Sequence, residues 1–184
     1  MDMHRRHRRG PPLHALESSW RRAIQPVEPI IEILSREVRE RKAAVDFGAG
    51  TGYFTLPLAE IFERVYAVDV DPEALSVLRG KLESRGVTNI YVVQSDRLPD
   101  VEVDLIFLSN VLHELKDREA FVRDAARRSR YIMVVDWRKE KTPYGPPLWE
   151  RLSEEDATKL LEGFFKVKRF NVYPYHYVLL GVRV

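Results

Sequence analysis

Asp46 closes a short apolar run, Ala43, Ala44 and Val45, and three glycines follow it at alternate positions, Gly48, Gly50 and Gly52. An apolar strand ending in an acid, a turn whose backbone can approach a ligand closely, and a helix opening with unpaired amides together suit a nucleotide-type cofactor at the carboxyl edge of a sheet. Tyr53, Phe54, Leu56, Leu58, Ala59 and Ile61 resume an apolar pattern compatible with that helix, expected over 53–63. A second apolar strand, from Val65 to Val68, again ends in an acid, Asp69, seventeen residues after Gly52. An acid at about that distance sits beside the cofactor and accepts hydrogen bonds from ribose hydroxyls. Val70 then offers the apolar surface that a flat adenine ring needs. Asp71 followed by Pro72 reads differently, as the N-cap and first position of a helix.

Two further strands end in polar residues. Val92 and Val93 lead to Ser95 and Asp96, and the near-continuous apolar run Val103 to Leu108, of the kind buried on both sheet faces, leads to Ser109 and Asn110 and then to Val111, Leu112, His113 and Glu114. The glycine spacing is D-x-G-x-G-x-G, not the G-x-G-x-x-G that clears room for a dinucleotide pyrophosphate, so nicotinamide-dependent redox chemistry is disfavoured. These four stations, in this order over about residues 26–184, resemble the class I S-adenosylmethionine-dependent methyltransferases. The fourth matches the small-molecule, type-11-like branch in wording, and not the N-P-P-Y form of enzymes that methylate exocyclic amines of nucleobases.

The resemblance implies an α/β fold: a Rossmann-like, doubly wound sheet of seven mostly parallel strands, the last antiparallel, with S-adenosylmethionine bound across its carboxyl edge and S-adenosylhomocysteine as product. It places Asp46, Gly48, Ala49, Gly50 and Gly52 at the methionine end, Asp69 and Val70 at the ribose and adenine, and Ser95 and Asp96 near the adenine amine. Asn110 closes the cleft toward the acceptor. Asp46 keeps two readings: it approaches the amino group of the donor, or it orients the glycine loop by accepting backbone amides. The plainer alternatives are a strand-to-helix connection at the glycines and a solvated turn at Asp96.

Methyl transfer from a sulfonium is an in-line displacement in which the protein mainly aligns the reacting groups. A general base helps only when the acceptor must lose a proton. His113, at the carboxyl edge and able to titrate near neutrality, is the favoured candidate; Tyr144, Glu114 and Asp136 follow it. The alternative is that His113 packs against the next helix as a structural residue. His14 and His176 have no motif around them and read as structural, and no His, Asp or Glu cluster has metal-ligand spacing, so no metal is expected.

The elements that must position these residues alternate in βα fashion. Val27, Ile30, Ile31, Leu34 and Val38 recur at helical spacing. Strands are expected at 43–47, 65–69, 90–94, 103–108 and 131–136, with helices at 72–84 and 117–128, an order that means a parallel sheet. Only eight residues separate 90–94 from 103–108, too few for the usual connecting helix. Beyond Asp136, the stretch through Pro143, Gly145, Pro146 and Pro147 reads as a loop at the carboxyl edge, a substrate lid with Trp137, Tyr144 and Trp149 as candidate walls. Ser153 caps a helix that Gly163 ends, and Phe164–Val172 and Tyr175–Val184 read as an antiparallel hairpin.

The 184 residues suffice for one domain, over 26–184, preceded by a tail over 1–25. That tail holds six arginines against Asp2 and Glu17, which leaves the remainder of the chain slightly acidic despite the overall charge of +2. A slightly acidic domain offers no broad basic face, so nucleic acid would have to be met by the tail, whose composition otherwise reads as disordered. Leu13, Leu16 and Trp20 suggest a short amphipathic piece there, either a wall of the cleft or a helix on the side of the domain. The chain has no cysteine, no long apolar span and no secretory leader pattern, which excludes disulfides and thiolate chemistry and points to a soluble, cytoplasmic protein. High charge and few amide side chains lean toward a thermophilic source. The expected partner is a small-molecule acceptor. An RNA or protein acceptor guided by the tail, or a cofactor-binding module without catalysis, are the alternatives; no membrane partner is expected, and oligomeric state is not legible.

Overall fold

The computed structural model describes residues 17–184. The arginine-rich stretch over 1–12, together with Leu13, His14 and Leu16, lies outside the described residues. Among them run α1 (Ser19–Ile24), α2 (Glu28–Glu37), β1 (Ala43–Phe47), α3 (Thr55–Ile61), β2 (Arg64–Asp69), α4 (Pro72–Arg85), β3 (Ile90–Gln94), β4 (Val103–Ser109), α5 (Arg118–Arg128), β5 (Ser129–Trp137), α6 (Glu154–Glu162), β6 (Phe165–Phe170) and β7 (His176–Arg183). Single 3₁₀ turns occupy Leu112–Glu114 and Leu148–Glu150.

The strands form one sheet of order β3-β2-β1-β4-β5-β7-β6. β1 to β5 pair in parallel, and β7 runs antiparallel to both β5 and β6. The order reverses between β1 and β4, and in such sheets the ligand crevice lies outside the strand ends at that reversal. Parallel registers carry Phe47, Asp69, Gln94, Ser109 and Trp137 to one edge, so acids and glycines far apart in sequence become neighbours.

Burial on both faces explains the continuous apolar strands. On one face Ala44, Leu105, Phe107, Met133 and Val135 pack with Ile30, Leu34, Leu58 and Leu75 of α2, α3 and α4. On the other, Val45, Ile106, Leu108, Ile132 and Val134 pack with Val122, Ala157 and Leu161 of α5 and α6. Each such leucine or isoleucine stabilises the fold by about 1.5–3 kcal/mol, which makes the sheet a rigid platform for its polar edge. Asp71 accepts from the amides of Glu73 and Ala74, and Ser153 from Asp156, so both act as the N-caps expected of them.

Several element ends differ by one or two residues from the sequence expectation, among them both ends of the helix after the glycine loop. The helix after the glycine loop starts at Thr55 rather than 53, because Tyr53 and Phe54 still belong to the turn, and it stops at Ile61, because Phe62 is already extended toward β2. No helix joins β3 to β4, as their spacing suggests; Arg128 of α5 instead ties down the short connection, donating to the Pro99 carbonyl at 3.1 Å and to Asp100 at 2.9 Å. Among the described residues, no helix is long and apolar enough to cross a membrane.

Candidate functional site

The loop after β1 turns tightly over the end of β2. The Val68 carbonyl accepts from the amides of Gly48, at 2.7 Å, and Ala49, at 3.0 Å. Gly48, Gly50 and Gly52 take left-handed backbone, with φ of 81°, 57° and 95°. At Gly48 a side chain is also excluded by space: a Cβ there would lie 2.2 Å from Val111 Cγ2. The glycine loop and the segment after β4 therefore touch, and the crevice between β1 and β4 is bounded by both.

Asp69 organises this loop. Its Oδ2 accepts the Gly50 amide at 2.8 Å and its Oδ1 the Asp71 amide at 2.9 Å. Asp46, by contrast, is 3% exposed and accepts the Thr55 hydroxyl at 2.6 Å. The loop-orienting role considered for Asp46 thus falls to Asp69, because the loop amides reach Val68, Asp69 and Ala49. Burial pushes the Asp46 carboxyl up to about 7, with the Asp69 charge adding to the rise and the Thr55 hydrogen bond and Arg21 opposing it.

Val70 beside Asp69 is 62% exposed, an apolar side chain presented to the crevice edge rather than to the core. Ser95 follows β3 at the same edge; its amide donates to the Asp69 carbonyl, and its hydroxyl accepts the Arg97 amide at 3.0 Å. Asp96 is exposed in that turn, with Arg97 at 3.7 Å.

Across the crevice, Asn110 is the one described non-glycine residue with positive φ, at 60°. Its side-chain nitrogen donates to Gln25 Oε1 at 3.3 Å, and its Oδ1 is buried with no hydrogen-bond partner. Gln25, itself buried, donates to Ser109 Oγ at 3.1 Å and accepts the Tyr53 hydroxyl on its carbonyl at 2.7 Å. The end of α1 is thereby sewn to the end of β4 and to the residue after the glycine loop.

The 3₁₀ turn after β4 carries His113 onto Asp136, near the end of β5. The imidazole Nδ1 lies 2.8 Å from Asp136 Oδ1, the His113 amide donates to Oδ2 at 3.0 Å, and the Trp137 amide donates to Oδ1 at 2.8 Å. Both side chains are buried. Nε2 is the remaining ring nitrogen, with Glu114 Oε1 at 3.8 Å. Burial acts to lower the affinity of this imidazole for a proton, but the Asp136 hydrogen bond and charge, helped by Glu114 and Glu150, outweigh it and raise the His113 pKa above its ordinary value. The imidazole of His113 is thus fixed in direction by Asp136, while Arg118 of α5 donates to the His113 carbonyl at 2.7 Å.

Within the segment 138–151, one side chain gathers four backbone carbonyls. Arg151, 6% exposed, donates to the carbonyls of Pro146, Arg138, Glu140 and Tyr144 at 2.8 to 3.1 Å. Trp137 is buried beneath the segment, where a Cβ on Gly145 would come within 2.8 Å of its ring, and His176 packs against it at 4.1 Å between centroids. Tyr144 stacks on Trp20 of α1, at 4.9 Å and 18°. Trp20 thus meets the segment 138–151. Trp149 is 79% exposed, so of the three aromatic walls expected, Trp137 lies under this segment, Tyr144 joins it to α1, and Trp149 faces outward.

His176 is fully buried between Trp137 and Tyr173, and burial, together with Arg21, Arg151 and Arg138, pushes it down to about 3, so it is a neutral core imidazole. Among the described residues no cluster of His, Asp or Glu could hold a metal. Three functional residues escaped the sequence reading in their actual roles. Asp136 carried a signal, an acid at the end of an apolar strand like Asp46 and Asp69, but not its partner. Gln25 and Arg151 carried none, since each acts on groups of other elements.

The methyltransferase domain model of type 11 matches residues 45–130. Over 94 residues the chain is 33% identical to the "Probable cobalt-precorrin-6B C(15)-methyltransferase (decarboxylating)" of Methanothermobacter thermautotrophicus, covering 45% of this chain and 49% of that protein. Over 75 residues it is 35% identical to the ribosomal protein L11 methyltransferase of Alteromonas mediterranea, covering 39% of this chain and 25% of that one. The chain thus spans about half or less of the length of these curated relatives. The crystal structure of an S-adenosylmethionine-dependent methyltransferase from Aquifex aeolicus superposes with a TM-score of 0.84 at 26% identity, covering 94% of this chain and 97% of that one.

Proposed function

The chain belongs to the class I S-adenosylmethionine-dependent methyltransferases, and from that premise we propose that it methylates a small acceptor whose reacting O–H or N–H must lose its proton, with His113 as the base. The observation that carries this reading is the 2.8 Å contact between His113 Nδ1 and Asp136 Oδ1. An imidazole that donates Nδ1–H to a buried carboxylate keeps Nε2 as the acceptor of a proton, and its orientation is fixed before any substrate arrives.

The described residues fit the cofactor of this family. Left-handed glycines leave backbone open for close approach, Val70 offers an exposed apolar surface beside Asp69, and Asn110 Oδ1 is a buried acceptor without a partner. Asp69 would hold the ribose, Val70 the adenine with Ser95 and Asp96 at its rim, and the Gly48–Gly52 loop with Asp46 the amino-acid end, leaving Asn110 between cofactor and acceptor. When bound, S-adenosylmethionine supplies a methyl group on a positively charged sulfur. The chain's own task is then to align the acceptor, exclude water and take one proton at His113 Nε2.

A small acceptor is favoured by the Trp20–Tyr144 stack, which joins α1 to the lid, and by Arg151, which holds the lid in one shape. The second reading is a macromolecular acceptor guided by the arginine-rich tail, and the relative named for ribosomal protein L11 keeps it in view.

The test is formation of S-adenosylhomocysteine by the full chain with small phenols, hydroxy acids and amines, against total RNA and ribosomal protein. Turnover on a small protic acceptor, reduced about 10²- to 10⁴-fold by His113→Gln with affinity for S-adenosylhomocysteine unchanged, is the expected result. Turnover confined to RNA or protein and lost when residues 1–12 are removed would establish the second reading. Tight cofactor binding with no turnover on any acceptor would make the chain a binding module.

A further inference from the structure

We propose that Arg21, carried over the crevice by α1, binds the carboxylate at the amino-acid end of the cofactor, an inference that rests on the methyltransferase reading above. The argument begins with α1 itself. A six-residue helix with no fully buried residue has no stability of its own, so its position is set by what its side chains grip. Glu17, just before it, pairs with Lys81 of α4, whose ammonium also donates to the Thr51 carbonyl inside the glycine loop at 2.9 Å. Trp20 stacks on Tyr144, and Gln25 bonds Ser109 and Asn110. The helix is strapped across the mouth of the crevice from the glycine loop to the lid.

On this strap Arg21 turns inward while its neighbour Arg22 is exposed. Its guanidinium carbon lies 4.2 Å from the centre of the Tyr53 ring and 5.8 Å from that of Phe54, the two residues that follow Gly52. Its Nε donates to Gln25 Oε1 at 3.2 Å. The guanidinium is thus fixed in direction by a ring face and an amide beside the residues that follow Gly52.

The electrostatics agree with that placement. Asp46 and Arg21 act on each other, the carboxylate favouring the cation and the cation the carboxylate, while burial works against both. Withdrawing a guanidinium and a carboxylate from water is costly unless each is well matched. The amino-acid end of S-adenosylmethionine is a zwitterion, so its ammonium against Asp46 and its carboxylate against Arg21 would give alternating charges that sum to zero. A guanidinium fork is also the side chain best shaped to take a carboxylate through two hydrogen bonds. His176, which Arg21 also influences, is kept neutral in the aromatic core behind it and brings no second cation.

The test compares two ligands that share the nucleoside. S-adenosylhomocysteine carries the amino-acid end, and 5′-methylthioadenosine lacks it. Titration calorimetry on the full chain is expected to show Arg21→Gln weakening S-adenosylhomocysteine about 10- to 100-fold while leaving 5′-methylthioadenosine within about twofold, with Arg21→Lys, which keeps the charge but not the fork, falling between. Losses that are equal for the two ligands in Arg21→Lys, or no loss for S-adenosylhomocysteine in Arg21→Gln, overturn the assignment of Arg21. Failure of the unaltered chain to bind S-adenosylhomocysteine at all overturns the methyltransferase reading, and this inference with it.

Discussion

Nδ1 of His113, three residues past Asn110 in the turn after β4, lies 2.8 Å from Oδ1 of Asp136 in β5, and the same carboxylate also accepts the amides of His113 and Trp137. Neighbouring parallel strands bring the pair together: Ser109 is opposite Val135, so the turn after β4 meets the last residues of β5 at the edge. Replacing the carboxylate by an amide keeps the shape but removes the charge that fixes the imidazole tautomer. Asp136→Asn is expected to lower kcat by about 10²- to 10⁴-fold, with affinity for S-adenosylhomocysteine unchanged by calorimetry. Retention of kcat within about threefold would remove His113 from the base role.

The same contact sets a pH dependence. His113 acts as a base only when neutral, and its pKa is raised because Asp136, with Glu114 and Glu150, outweighs burial. The rate with a saturating donor should climb with pH, and the midpoint of that climb in kcat/KM should lie above the ordinary histidine value of 6.5. In Asp136→Asn the raising partner is gone and burial remains, so the midpoint should move to lower pH. A profile whose midpoint is identical in the two proteins would assign the titration to another group.

Much of this site was legible before the fold, and the reason is local. Asp46, the three glycines and Asp69 announce themselves because strand, turn and helix are contiguous, and period and turn chemistry are properties of neighbours. The βα alternation and the C-terminal hairpin gave the strand directions, and the family resemblance the number of seven, but the strand order was in neither, since pairing between strands leaves little trace in either one alone. Residues whose partners lie far along the chain were not legible in their roles. Gln25 meets Ser109 and Asn110 more than eighty positions away, and Arg151 works on carbonyls, which every residue possesses. That the loop-orienting role falls to Asp69 and not Asp46 has the same origin: both acids end apolar strands, and only the turn of the glycine loop over β2 decides which one receives the Gly50 amide.

Asp46 makes a second prediction about pH. Its carboxyl, pushed up to about 7 chiefly by burial, stands above its ordinary value of 3.8. The folded chain therefore holds a proton that the unfolded chain has released, and the stability this contributes is present at low pH and lost as pH rises through about 7. A ligand ammonium and Arg21 both favour the ionised form, so binding of S-adenosylhomocysteine should release protons near pH 7 and tighten as pH rises through it. Asp46→Asn, which can still accept the Thr55 hydroxyl, should melt higher than the unaltered chain at pH 8, show no such gain at pH 5, and bind the ligand without proton release. Calorimetry in buffers of different ionisation enthalpy reads the proton count directly.

Arg151 should separate acceptor binding from cofactor binding. Its guanidinium donates four hydrogen bonds to carbonyls of the lid and none to the glycine loop. Arg151→Ala leaves those carbonyls to water and frees Tyr144 from its place against Trp20. The expected result is a rise of about tenfold or more in acceptor KM, unchanged affinity for S-adenosylhomocysteine, and faster tryptic cleavage after Lys139 and Lys141. Arg151→Lys, with fewer donors and no fork, should restore only part of the protection. Equal weakening of donor and acceptor would show instead that the lid supports the whole edge.

Gly48 and Val111 allow the steric and conformational demands of the glycine loop to be measured apart. A Cβ at position 48 meets Val111 Cγ2 at 2.2 Å, and the residue also sits at a φ of 81° that side chains avoid. Gly48→Ala should therefore weaken S-adenosylhomocysteine by more than about 100-fold, because both penalties displace the amides that line the crevice. Val111→Ala removes Cγ2 and leaves Val111 Cβ at 3.4 Å, an ordinary contact, so alone it should change affinity by no more than about threefold. Combined, the two substitutions relieve the clash but not the backbone strain of about 1–2 kcal/mol, and affinity should recover to within about tenfold to thirtyfold of the unaltered chain. If the pair binds no better than Gly48→Ala alone, the backbone conformation and not the contact with Val111 is what forbids a side chain there.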